Sequence, residues 1–379
     1  MLSLFAQGMG LGFLGILVSR EALSAQDAGF GYAAATGGAL LGTLPGPRFV
    51  RRYAAGHATW AVLASCGTVS AVGLIALASV RSQAWEAAPL VLLGLAAGAS
   101  LRLSVSVVLR ILPARPASSL LALAGVSFGL GGLAACLAAT NEFRILGLAS
   151  FPLWAAAAPA TMAFAALRAI YLNPGPPEGL RRSEQLQPRT TPRSILLAAS
   201  LVLQASGCGI AACWLAVYLS RTSGFSGSEG TLTLGVLWLA LSAGWAVSRR
   251  LPRVRDSLMV LGLPTAMVAV GVILLLWPPA PLSVVLGAAL LGVGMGALAP
   301  LTLSLASWPS ALHRCRWITR SLHLTLPAAL LASWAVGELS YAIATDAVIW
   351  GMLACFAGAL IAIVALVGDY RVSGDAVVI

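Results

Sequence analysis

Apolar residues form long runs along this chain, and short stretches containing Gly, Pro and Arg separate the runs. A helix needs about 20 apolar residues to cross the hydrocarbon core of a bilayer. We find twelve runs of roughly this length, and we expect each to be helical because lipid offers the backbone no hydrogen-bond partner. The runs are Leu2–Val18, Ala28–Leu44, Ala58–Val80, Ala88–Ile111, Ser119–Ala139, Leu146–Leu167, Ile195–Leu219, Leu232–Val247, Leu258–Trp277, Leu282–Ala306, Leu322–Val336 and Ala344–Val367.

One long polar stretch, residues 170–193, interrupts this series after the sixth run. It contains NPGPPEGLRRSEQLQPRTTPR, which is rich in Pro, Arg and Gln and cannot form a packed core. We therefore predict four parts: a six-helix bundle in residues 1–169, a cytoplasmic linker in 170–193, a second six-helix bundle in 194–368, and a cytoplasmic tail in 369–379.

Composition and charge support a polytopic all-α membrane protein. Of the 379 residues, 59% are hydrophobic and 9% are charged, against about 25% charged in soluble domains. If the N-terminus is cytoplasmic, 18 of the 23 basic residues, all of them arginine, fall on the cytoplasmic side and four fall outside. This asymmetry predicts an inner (cytoplasmic) membrane protein with both termini in the cytoplasm. Arginines dispersed between apolar runs argue against a nucleic-acid partner.

The two halves repeat a polar pattern. Gln7, Gly10 and Gly12 in the first run match Gln204, Gly207 and Gly209 in the seventh run, 197 residues later. Gly42 and the arginines that follow it match Gly244 and its arginines, 202 residues later. Six helices per half give the halves the same orientation, and such parallel repeats build one class of membrane transporter.

Twelve helices, a linker after the sixth and basic turns after the second and eighth resemble the major facilitator superfamily over the whole chain. Gly42, Arg51 and Arg52 match residues of that family's loop between helices 2 and 3, and Gly46 stands where the family has Asp. The resemblance implies transport of a small organic solute by alternating access, either secondary active or facilitative. Import and export are both open, with export slightly ahead as a prior. It also implies that Gly42, Arg51 and Arg52 belong to a gating latch, although the loop's arginines also fit a simple positive-inside turn.

Candidate cavity residues come from the helices that line the central cavity in that family. They are Arg102, Gln7, Gln204, Trp214, Ser106 and Ser304. Arg102 lies about 12 Å deeper than Arg110 at 1.5 Å per residue, and its guanidinium would suit an anionic or zwitterionic solute. Alternatively, Arg102 reaches back to the membrane surface, and the two glutamines join helices instead of binding solute.

Acidic residues are absent from the interior of every predicted run. Glu338 and Asp346, near the outer ends of the last two runs, are the best candidates for coupling transport to an ion, although both also fit solvated loop charges. We find no nucleophile–base set and no metal-ligand spacing, so we expect no enzyme, no metal and no cofactor. We expect a monomer in the lipid bilayer. The alternative function is a transporter-shaped sensor or scaffold that moves no solute.

Overall fold

The computed structural model describes residues 1–20, 25–43, 57–79, 83–111, 117–145, 151–172, 192–248, 257–276, 280–304, 311–342 and 345–372. Twelve helices lie within these ranges. They are α1 (Leu2–Arg20), α2 (Ala25–Thr43), α3 (His57–Ser79), α4 (Gln83–Ile111), α5 (Ala117–Ile145), α6 (Phe151–Leu172), α7 (Pro192–Thr222), α8 (Gly227–Ser248), α9 (Ser257–Leu276), α10 (Pro281–Ser304), α11 (Ala311–Ala342) and α12 (Ala347–Val372).

Apolar character follows these helices closely. By length and composition, seven of the described helices could cross a membrane, namely α3, α5, α6, α7, α8, α10 and α12. Shorter apolar stretches lie in α1, α4, α9 and α11. The predicted all-α architecture is confirmed.

Several helices differ from their predicted bounds by five residues or more, and α11 and α6 illustrate how. α11 begins at Ala311, well before the predicted Leu322, because Arg and Leu are good helix formers and a helix does not stop where hydropathy falls. α6 begins at Phe151 and not at Leu146. Pro152 then falls in the first turn, where the missing N–H of a proline costs no helical hydrogen bond.

The helix pairings of the first half recur in the second half. α1 packs on α5 and α6, as α7 packs on α11 and α12. α2 packs on α4, as α8 packs on α10, and α3 packs on α4 and α6, as α9 packs on α10 and α12. This correspondence confirms a parallel repeat of six helices.

Glycines set the closest of these pairings. A Cβ atom on Gly42 would collide with the carbonyl oxygen of Leu95 in α4. A Cβ atom on Gly244 would collide in the same way with Val293 in α10. Glycine at these positions allows two helix backbones to touch. The second and fourth helices of each half are therefore in backbone contact.

The main contacts between the halves are α1 with α7, α2 with α11, and α5 with α8. Gly38 and Gly42 of α2 meet Val91 and Leu95 of α4 in the same order along the two helices, so these helices run in the same direction, as they do when consecutive helices alternate. We call the face at which α6 ends and α7 begins the linker face, and we call the opposite face the far face.

Candidate functional site

A cavity of about 180 Å³ lies between the two halves, on the linker side and at the middle of the bundle. Its described lining residues are uncharged and mostly apolar. The first half contributes Leu4, Gln7, Leu11, Leu101, Leu121, Ala124, Gly125 and Phe128. The second half contributes Leu201, Gln204, Ala205, Cys208, Gly209, Ala212, Leu237, Trp238, Leu241, Trp245, Met295, Ala299, Thr325, Leu326 and Ala329.

The two predicted glutamines occupy equivalent places in this wall. The Nε2 of Gln7 donates hydrogen bonds to the Oγ of Ser3 at 3.3 Å and to the Oγ of Ser100 in α4 at 2.9 Å. The second half repeats the arrangement with its own glutamine. The Nε2 of Gln204 donates to the Oγ of Ser200 at 2.9 Å and to the Oγ1 of Thr302 in α10 at 3.0 Å. Each glutamine thus joins the first and fourth helices of its half.

The hydroxyl groups fix which way each amide points. The Oγ of Ser100 donates its own proton to the carbonyl oxygen of Ala97, and the Oγ1 of Thr302 donates to that of Leu298. In this arrangement both hydroxyls act as acceptors, and each glutamine presents its nitrogen to them. In the second half this leaves the Oε1 of Gln204, a residue only 2% exposed, without a hydrogen-bond partner among the described residues.

Aromatic side chains form the cavity wall at the α5–α8 contact. Phe128 meets Trp238 edge to face, with ring centroids 5.5 Å apart. A Cβ atom on Gly132 would collide with the ring of Trp238, and one on Gly125 would collide with the ring of Trp245. The glycines of α5 therefore make room for two indole rings. The buried Nε1 of Trp238 has no hydrogen-bond partner in the described part of the chain.

The far side of the bundle is closed by contacts between the halves. A Cβ atom on Gly15 in α1 would collide with the backbone of Ala212 in α7. Tyr32 in α2 lies against Trp214 in α7, with ring centroids 5.8 Å apart. Trp214 is 1% exposed and its Nε1 donates to the carbonyl oxygen of Ser333 at 2.7 Å. Trp214, proposed from the sequence as a cavity residue, thus contributes to the closed far side and does not line the cavity.

The remaining predicted residues fall in three groups. Gly42 lies in the α2–α4 contact. Glu338 and Asp346 are exposed toward the far face, away from the cavity. The others lie outside the residues whose side chains the structure describes, so their predicted roles stay predictions; they are Arg51, Arg52, Arg102, Ser106 and Ser304.

Sequence reasoning missed the aromatic wall of Phe128, Trp238 and Trp245. A signal was present, because Trp238 and Trp245 are seven residues apart and so share one face of α8. Gly125 and Gly132 have the same spacing on α5. This pattern, with large residues on one helix and small residues at the same spacing on another, indicates that the two helix faces pack together.

We predict that Cys208 reacts faster with N-ethylmaleimide than Cys213 does, since Cys208 lines the cavity and Cys213 is 0% exposed in the closed far side. The measurement is mass-spectrometric labelling of two single-cysteine variants, each with the other five cysteines replaced by serine. Labelling after unfolding in detergent gives the control for complete reactivity. Faster labelling of Cys213 would contradict the closed far side.

No protein-family model matches the sequence, and no curated protein matches it. Solved structures do match. A mutant of the nucleoside transporter NupG aligns over 97% of each chain with 14% identity and a TM-score of 0.67. A bacterial homologue of the human lysosomal transporter Spinster, in an inward-facing and unoccupied conformation, aligns over 98% of this chain and 94% of its own with 14% identity and a TM-score of 0.63. The human organic anion transporter MFSD10 aligns over 96% of this chain and 83% of its own with 14% identity and a TM-score of 0.61.

These likenesses establish the fold over nearly the whole chain. The protein has the twelve-helix fold of the major facilitator transporters, as expected from the sequence.

Proposed function

We propose that this protein transports a small organic solute across a membrane by alternating access. The observation that carries the proposal is the difference between the two faces. The cavity lies on the linker side and the middle of the bundle, whereas Gly15, Tyr32 and Trp214 close the far side through contacts that cross between the halves. This is the arrangement of a transporter with one gate closed.

The packing supports a rocking motion of two units. Within each half, glycines bring helix backbones into contact, and such closely packed interiors deform little. Between the halves, the far-side contacts include the ring contact of Tyr32 with Trp214 and the contact of Gly15 with Ala212. Separating these contacts while the linker side closes would expose the cavity to the other face.

The distribution of arginines supports a membrane orientation. We propose that the linker face is cytoplasmic, that both termini are cytoplasmic, that the membrane is an inner membrane and that the protein acts as a monomer. In this orientation the structure corresponds to an inward-facing state. We propose export as the direction of transport, and we propose Glu338 and Asp346, exposed toward the opposite face, as coupling groups.

The structural neighbours differ in what they transport. NupG is a nucleoside transporter and MFSD10 is an organic anion transporter. At 14% identity the shared fold does not select between such solutes. The class of solute must therefore be inferred from the residues that line the cavity of this protein.

Solute flux in proteoliposomes tests the proposal. We expect the purified protein, reconstituted in lipid vesicles, to catalyse saturable flux of at least one small organic solute above the rate in protein-free vesicles. The solutes to be tested come from a thermal-shift screen of the same preparation. A solute that binds but shows no flux, with or without an ion gradient, would contradict transport and favour a sensor or scaffold.

A further inference from the structure

A second cavity, of about 70 Å³, lies mostly within the first half, and we call it the side cavity. Its described lining residues come from α1, α2, α3, α4 and α6, together with Leu326 and Leu330 of α11. Gly10 lines this cavity, and a Cβ atom on Gly10 would meet no described atom within 4 Å. The first half therefore contains unfilled space beside α1.

The second half fills the equivalent place with an aromatic ring. Gly207 corresponds to Gly10 at the offset of 197 residues that also relates the two glutamines. A Cβ atom on Gly207 would lie 2.6 Å from the Cε2 atom of Phe356 in α12. The cavity that remains beside Gln204 and Phe356 measures only about 10 Å³. The ring of Phe356 thus occupies in the second half the kind of space that is empty in the first half.

The sequence of the first half has small side chains at the place that corresponds to Phe356. The same offset leads from Phe356 back to Pro159 in α6, and one residue either way leads to Ala158 or Ala160. Pro159 itself lines the side cavity. None of these three residues carries a ring that could rotate into the space beside Gly10. The side cavity therefore follows from the sequence and not from the rotamer of one side chain.

The wall of the side cavity is mostly aliphatic. The polar residues among its described lining residues are Ser3, Gln7, Ser70 and Ser100. The Nε2 of Gln7 is already bonded to the hydroxyl groups of Ser3 and Ser100. The cavity is several times larger than the roughly 10–15 Å³ that one water molecule needs, and buried cavities with aliphatic walls stay dry and bind xenon or small hydrocarbons.

We infer that the side cavity is a binding site for a small apolar molecule, of the size of xenon or of a hydrocarbon with about three carbon atoms. The size follows from the volume, since a cavity of about 150 Å³ accommodates benzene. Apolar molecules leave water for the bilayer, which brings them next to these helices. The inference goes beyond the proposed transport function and does not depend on it.

Xenon locates such a site directly, because its anomalous scattering identifies it in crystals pressurised with the gas. We expect a xenon peak bounded by Gly10, Leu93 and Pro159 in crystals of the unmodified protein. Gly10→Leu places a side chain in the cavity and should abolish the peak. Phe356→Ala removes the ring from the second half and should add a second peak beside Gln204.

Two controls separate loss of the cavity from damage to the fold. Gly37→Leu makes the same substitution on the exposed side of α2, where a Cβ atom meets nothing within 4 Å, and should keep the xenon peak. The melting midpoint of Gly10→Leu in detergent should equal or exceed that of the unmodified protein, since Leu favours a helix more than Gly does. Phe356→Val removes less of the ring and replaces Phe356→Ala if that variant does not fold.

Several results would overturn the inference. Ordered water in the side cavity without xenon would show a hydrated space, and density for soaked acetamide, a polar molecule of similar size, in place of xenon would show a polar site. A xenon peak that persists in Gly10→Leu would assign the peak to another place. A lower melting midpoint for Gly10→Leu would contradict the free space beside Gly10. These results are independent of flux in proteoliposomes, so the inference and the transport function are tested separately.

Discussion

Adding a single methyl group at Gly15 is expected to hold the far face open and to reduce transport by about tenfold or more. The Cβ atom of Gly15→Ala would collide with the carbonyl oxygen of Ala212, which belongs to the backbone of the opposite half. A flexible side chain could rotate away, whereas a helix backbone cannot. Overpacking of this kind costs about 1–3 kcal/mol, and about 1.4 kcal/mol corresponds to a tenfold change in an equilibrium.

Two measurements test whether Gly15→Ala disfavours closure of the far side: solute flux in proteoliposomes and labelling of Cys208 with a maleimide. If Gly15→Ala disfavours the state with a closed far side, flux should fall, and Cys208 should become less reactive toward a membrane-impermeant maleimide added at the linker face. Gly10→Ala is the matched control, because it lies on the same helix and a Cβ atom there meets nothing within 4 Å. Equal flux and equal labelling in the two variants would show that the Gly15 contact does not form the far gate.

The sequence was sufficient to predict the architecture and part of the cavity. Twelve helices and the repeat follow from apolar runs and from Gln7 and Gln204, because membrane helices must be long and apolar and duplicated helices keep their contacts. Both glutamines line the cavity, and each joins two helices, whereas their contact with a solute stays a prediction. The orientation of a polar residue in an apolar helix can be predicted, because its side chain needs a hydrogen-bond partner.

The rotation of each helix about its own axis could not be predicted in the same way. When nearly every face of a helix is apolar, no stripe of polar residues shows which side faces the cavity, the lipid or another helix. Trp214 and Trp238 illustrate this, since both are tryptophans in apolar helices with 1% and 2% exposure. Trp214 closes the far side and Trp238 lines the cavity, and only the packing of α7 and α8 distinguishes them.

Gly38→Leu is expected to destabilise the first half by about 3 kcal/mol or more, because it forces apart two helices whose backbones touch. A Cβ atom on Gly38 would collide with the carbonyl oxygen, carbonyl carbon and Cα of Val91 in α4. No side-chain rotation can relieve a contact with backbone atoms. At about 2–4 °C for each kcal/mol, the melting midpoint of the purified protein should fall by roughly 6–12 °C.

Gly37→Leu provides the matched control one residue away. Gly37 is exposed on the outside of α2, and a Cβ atom there meets nothing within 4 Å. Both variants make the same substitution in the same helix, so they share any change in helix propensity and differ in the direction of the new side chain. The two variants are compared by thermal unfolding in the same detergent, in which the fraction of protein that stays monodisperse is measured as the temperature rises. Equal melting midpoints would contradict the α2–α4 backbone contact, whereas a selective loss in Gly38→Leu would support rigid halves, which a rocking motion between them requires.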